Sequence, residues 1–117
     1  IACSIGNSVV DIISKKTFLR KVQKKEDIFL TQLDKINLKH NYFKSICSAG
    51  LWISVEFNHT ASICIDSLIG NAHKKGLMIL KANSNTIRLS PSLIIEDALI
   101  TKGLNIFKES ILQTQNQ

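Results

Sequence analysis

The residue here best suited to two-pronged chemistry is Arg88, in the stretch "NTIRLSPSLII" at residues 85 to 95. The chain holds thirteen lysines and only two arginines, Arg20 and Arg88. It is also crowded with isoleucine and asparagine, whose codons, like those of lysine, are AT-rich. Such a bias replaces arginine by lysine wherever lysine serves. An arginine kept between Ile87 and Leu89 is therefore a candidate for work that lysine does badly. A guanidinium is planar and presents its N–H groups as a fork, which grips a carboxylate or a phosphate with two parallel bonds. The other reading is structural, an ion pair between Arg88 and a nearby acidic side chain. The residues alone leave both open.

Other chemical constellations fail on spacing. His40, His59 and His73 lack the spacing and the companion ligands of a zinc site. Cys47 and His59 could be drawn as nucleophile and base, but the residues around them match no nucleophile motif. The glycines stand singly, so there is no Gly-rich phosphate loop. Glu26 and Asp27 are adjacent in a helical pattern and point apart, which suits solvent. Cys3, Cys47 and Cys64 are an odd number at no metal-ligand spacing and read as free thiols of a reducing cytosol. Asn58-His59-Thr60 matches the glycosylation triplet, a coincidence in a chain without a secretory signal.

At 117 residues and 44% hydrophobic, the chain is one domain's worth with material for a modest core. No apolar run approaches the ~20 residues needed to cross a bilayer. "IACSIGNSVVDII" carries Asp11 inside it and its lysines after it, the reverse of a signal peptide. It opens on Ile1-Ala2, which leads to the expectation that it continues a longer polypeptide. The net charge of +6 raises the question of nucleic acid. The charge is densest in "SKKTFLRKVQKKED", where Arg20 and Lys24 share one helical face and Lys21 and Lys25 another. A single-strand binder would interleave aromatic residues for base stacking. Phe18 alone is present, at a spacing that fits a buried helix face, so the segment reads as a solvated basic surface.

The elements that must hold Arg88 follow from periodicity. Residues 2 to 14 read as a helix with Ala2, Ile5, Val9 and Ile12 or Ile13 on one inward stripe. Thr17 is the expected N-cap of a second helix, running to about Asn37, with Phe18, Val22, Phe29, Leu33 and Ile36 inward. "LKHNY" breaks that pattern. "FKSICSAGLWISVEF" reads as a short strand, a bend at Ala49-Gly50 and a longer strand from Leu51 to Phe57. After "NHT" comes a third helix with Ala61, Ile65, Leu68, Ile69 and Ala72 inward, ending near His73 with Gly76 just beyond. His73 is a capping or solvated residue on this reading. Leu77 to Leu80 and Thr86 to Leu89 are expected to pair as a hairpin across "KANSN". Pro91, lacking an N–H, ends the second of these strands. Glu96 and Asp97 open a last helix with Ile100, Leu104, Phe107 and Ile111 inward, after which "QTQNQ" frays. The expected fold is α+β, a small, mainly antiparallel sheet with helices packed on one face.

With the motifs in this order, "SAGLWISVEF" followed by "AHKKGLMILKANSNTIRLSPSLII" resembles the C-terminal domain of the class III aminotransferases, above all the acetylornithine and succinyldiaminopimelate aminotransferases. "IACSIGNSVVDII" and "GLNIFKESI" resemble the helices at either end of that domain, so the likeness covers essentially the whole chain. It implies the small domain of a fold-type I enzyme dependent on pyridoxal 5'-phosphate, working as a cytoplasmic homodimer. It further implies transfer of an amino group between N-acetylornithine or N-succinyl-diaminopimelate and 2-oxoglutarate, in arginine or lysine biosynthesis. In such enzymes the small domain closes over the cleft and lends it an arginine, matched here by Arg88. That arginine grips a substrate carboxylate or pairs with an active-site glutamate. The Schiff-base lysine belongs to the large domain. None of the thirteen lysines here sits in a matching context, so the chain alone is expected to be inactive.

Two departures stand out. Cys47-Ser48 replaces the family's arginine-glycine pair, and Ala82-Asn83-Ser84-Asn85 replaces its alanine-glycine turn. Asparagine's tolerance of left-handed backbone is expected to rescue that turn. Two alternatives to the enzyme remain at this level, a free-standing basic α+β module that binds RNA and a decayed remnant.

Overall fold

A computed structural model of the chain describes all of residues 1–117. Helix α1 (Ala2–Ile13) forms where the apolar spacing puts it, yet it buries no side chain. Ile5, Val9, Val10 and Ile12 are 48% to 61% exposed. The stripe expected to face inward faces solvent instead. A helix can be amphipathic by sequence and still have no partner. The projection shows in the dimensions: the radius of gyration is 15.8 Å, against about 13 Å for a compact chain of this size.

Helix α2 (Lys16–His40) starts one residue before Thr17, so the expected threonine cap is not made. Only Ser14 and Lys15 separate the two helices, and the Lys15 carbonyl already accepts the Leu19 N–H at 3.0 Å. Its far end also lies beyond the expected Asn37. The helix continues to His40 and stops where Asn41 turns left-handed at φ 51°. Asn37 explains why the extra turn is held. Its side chain accepts the Phe43 N–H at 2.7 Å and donates to the Phe43 carbonyl at 3.2 Å, clasping the helix end to the first strand.

Strands β1 (Phe43–Ala49), β2 (Trp52–Phe57), β3 (Leu80–Asn83) and β4 (Thr86–Leu89) form one antiparallel sheet in the order β1-β2-β4-β3. The first strand is the longer of the first two, against expectation, because it runs regularly into the turn. Gly50 makes that turn at φ +61°, and a Cβ there would meet Val22 at 3.4 Å. Helix α3 (Ile65–Lys74) begins later than expected, because His59–Ala61 form a separate 3₁₀ turn. It ends as expected. Gly76 is left-handed at φ +83°, and the N–H groups of Gly76 and Leu77 return to the His73 and Ala72 carbonyls at 2.9 Å each.

That cap also corrects the hairpin. The Leu77 N–H is used by the helix end and the Ile79 side chain is buried, so the chain joins the sheet only from Leu80. Leu80 lies opposite Arg88 and Asn83 opposite Thr86, leaving a two-residue loop. No residue of that loop has positive φ. Asparagine serves it differently from expectation, by accepting the Asn85 N–H on Asn83 Oδ1 at 3.0 Å.

Helix α4 (Asp97–Gln115) opens with Asp97, which binds Lys25 at 3.1 Å. Its end does not fray as expected. Thr114 is buried and accepts a bond from Asn71 Nδ2 at 2.9 Å, while the buried Tyr42 hydroxyl donates to Gln115 at 2.8 Å. Burial without full solvation raises the pKa of that phenol. Helices α2, α3 and α4 pack with the sheet around a core of 20 apolar residues. At its centre Phe57 meets Phe43 edge-on at 5.2 Å and Phe107 at 6.4 Å. Phe107 is fully buried, so Phe107→Ala should cost about 3–5 kcal/mol. Val9→Ala on the unpartnered helix should stay within about 0.5 kcal/mol. Urea denaturation of the two variants checks the contrast.

Candidate functional site

The pleat of β2 and β4 sorts their residues between two faces. Ile53, Val55, Phe57, Ile87 and Leu89 are buried in the core. The alternate residues Trp52, Ser54, Glu56 and Arg88 therefore lie on the opposite, open face. Register brings Arg88 directly across from Ser54, and Cys47 of β1 lies across from Ser54 on the other side. Along the row the arginine thus has Ser54 on one side and the exposed Leu80 of β3 on the other.

Arg88 is half-buried, and its Cζ sits 4.8 Å from the centroid of the Trp52 ring. Its Nε is buried with no hydrogen-bond partner. The chain makes four ion pairs, Lys25–Asp97, Lys44–Glu56, Lys75–Glu109 and Lys81–Asp66, and all use lysine. Within this chain Arg88 thus lacks the acidic partner that the structural reading required. A buried donor without a partner is costly. No carboxylate of this chain relieves that cost at Arg88.

The nearest acidic residue by register, Glu56, is already engaged. It accepts Lys44 Nζ at 2.8 Å and Ser45 Oγ at 2.9 Å. Those two bonds, the lysine's first, hold its pKa below the ordinary 4.5. Because the folded-state value is depressed, the stabilisation is complete at neutral pH and is lost as pH falls through that value. Thermal melts should show Glu56→Gln less stable than the parent at pH 7, with the gap narrowing as pH falls below the ordinary carboxylate range.

The other residues singled out by sequence are not brought together. His59 lies with its ring nitrogens 2.9 and 3.0 Å from Asn85 Nδ2, engaged there and not with Cys47. The Asn58 side chain donates to the Asn41 carbonyl at 2.8 Å, so it serves the fold. His73 is exposed, 3.4 Å from the Ile79 carbonyl. Arg20, Lys21 and Lys24 are exposed on α2, as a solvated basic face requires. The three cysteines are free and exposed. Cys64 precedes α3, where bonds from the Ser67 side chain and backbone lower its thiol pKa. An apolar cleft of about 130 Å³, lined by Leu77, Met78, Pro91, Leu99 and Phe107 among others, carries no charged side chain. Trp52 was the residue that sequence reasoning passed over. Its signal is the register that sets it diagonal to Arg88, and register is not visible in one strand alone.

Fold and site together define a small α+β domain that carries one guanidinium, with an indole beside it, on the open face of its sheet. A family model described as aminotransferase class-III matches residues 1–111. The chain is 38% identical over 112 residues to a mitochondrial acetylornithine aminotransferase of Saccharomyces cerevisiae, covering 95% of this chain and 26% of that protein. It is 36% identical over 107 residues to an acetylornithine/succinyldiaminopimelate aminotransferase of Buchnera aphidicola, covering 92% of this chain and 26% of that protein. Its fold superposes on the N-acetylornithine aminotransferase of Stenotrophomonas maltophilia with a TM-score of 0.88 at 19% identity, over 96% of this chain and 31% of that one. The ornithine aminotransferase of Toxoplasma gondii, whose active site is partially occupied by PLP, gives a TM-score of 0.84 at 18% identity, over 98% and 27%. The chain belongs to the class III aminotransferases. It spans about a quarter of the length of the curated relatives it matches. Membership favours the enzyme over a free-standing RNA-binding module.

Proposed function

We propose that residues 1–117 are a single domain, the C-terminal small domain of a PLP-dependent transaminase. The full enzyme would move an amino group between N-acetylornithine, or N-succinyl-diaminopimelate, and 2-oxoglutarate, in arginine or lysine biosynthesis. The names of the matched relatives support that substrate class. A homodimer in the cytoplasm completes the reading.

One observation carries the role of this chain: the Arg88 guanidinium stands on an open face with a buried, unpartnered Nε and no carboxylate of its own. Such a fork fits an anionic substrate group better than it fits the cofactor's ring. Lys44, the lysine that reaches this face, is tied to Glu56 at 2.8 Å, so it is a poor candidate to anchor a cofactor. Residues outside these 117 would hold PLP, which when bound supplies the electron sink for the reaction. Arg88 would hold a substrate carboxylate and so fix the orientation of the reacting carbon, an entropic contribution to rate. Strand β4 helps by fixing the arginine's backbone in a ladder with partners on both sides.

The test is a transaminase assay with acetylornithine and 2-oxoglutarate on the full-length protein that contains this chain. Arg88→Lys should lower kcat/KM about 100-fold, equivalent to about 2.7 kcal/mol of transition-state stabilisation, because a point charge replaces a fork. No turnover by the parent protein, or an undiminished Arg88→Lys, would sink the reading. The 117-residue chain alone should show no transamination.

A further inference from the structure

We infer that Trp52 is the positioning residue of the Arg88 subsite, stacking on the guanidinium so that its in-plane edge meets one carboxylate of a dicarboxylic substrate. The inference rests on the carboxylate role proposed above for Arg88. Three observations carry it. The contact is close, at 4.8 Å from Cζ to the ring centroid. Sheet geometry enforces it: Trp52 stands two residues from Ser54, Ser54 lies opposite Arg88, and such diagonal neighbours are within reach of long side chains. The indole has no other evident employment, since it is 56% exposed and outside the buried core.

The consequence is directional. A flexible arginine loses much rotamer freedom when it grips a ligand. A ring against one face of the guanidinium removes part of that freedom beforehand. It also covers that face, and with Nε buried the terminal in-plane N–H groups are the ones left for the ligand. Two-pronged carboxylate bonds form in that plane. Ser54, half-buried and directly opposite Arg88, sets a small hydroxyl beside the approach.

The chain's composition supplies the test, because its two arginines give two side-chain Nε–H signals in a nitrogen-correlated NMR spectrum. Arg88→Lys removes one and so assigns it. The Arg88 signal should be shifted by the Trp52 ring current and slow to exchange with water. Trp52→Leu should abolish both properties, and Trp52→Phe should keep them in part, with backbone amide spectra showing that the fold is intact. Glutarate added at constant ionic strength should move the Arg88 signal and leave that of Arg20 in place. Its affinity should fall about tenfold in Trp52→Leu and stay within about threefold in Trp52→Phe. In the full-length enzyme Trp52→Leu should raise KM for 2-oxoglutarate about tenfold with a smaller change in kcat. An unchanged Arg88 signal or unchanged glutarate affinity in Trp52→Leu overturns the positioning role alone. In the full-length enzyme an Arg88→Lys variant with undiminished kcat/KM overturns the carboxylate reading of Arg88, and the positioning role with it.

Discussion

The pairing of β2 with β4 is the constraint on which both the core and the site depend. Val55 opposite Ile87 and Ile53 opposite Leu89 bury their side chains against the helices. The same ladder sets Ser54 opposite Arg88 on the other face. A slip of one residue would turn Arg88 into the core and Ile87 out of it. The hydrophobic face therefore fixes the arginine's position more firmly than any contact the arginine makes itself. Its Nε has no hydrogen-bond partner, so the register and the neighbours it brings, Trp52 and Leu80 among them, set its place.

The helices stabilise that register from behind. Phe43, Phe57 and Phe107 join the edge strand, the central strand and the last helix in one aromatic cluster. Polar clasps close its margins: Asn37 on Phe43, Tyr42 on Gln115 and Asn71 on Thr114. Each satisfies groups that burial would otherwise leave unpaired. Helix α1 lies outside this arrangement with its apolar residues exposed.

One residue in each of the two departures from the family pattern, Ser48 and Asn83, makes a local bond. Ser48 continues β1 and donates to Glu26 of α2 at 2.6 Å, so a position where the family places glycine becomes a strand-to-helix tie. Cys47 leaves a small, exposed side chain in the Arg88 row. In the hairpin the Asn83 side chain holds the loop without left-handed backbone. Both sites show a polar side chain replacing conformational freedom by a specific hydrogen bond.

By itself the sequence determined the order and type of the elements. Helical spacing put Val22, Phe29, Leu33 and Ile36 on one face of α2, and alternation put Ile53, Val55 and Phe57 on one face of β2. The rarity of arginine marked Arg88, and the order of motifs marked the family. These signals are local, or rest on chemistry that a residue carries wherever it stands. Tertiary structure alone decided where α2 ends, where α3 and β3 begin, the hairpin register and the meeting of Trp52 with Arg88. Asn37 reaches across to Phe43, and Tyr42 to Gln115, over sequence separations that no periodicity records. It also decided that α1's stripe stays uncovered, because an amphipathic pattern specifies a face and not the surface that meets it.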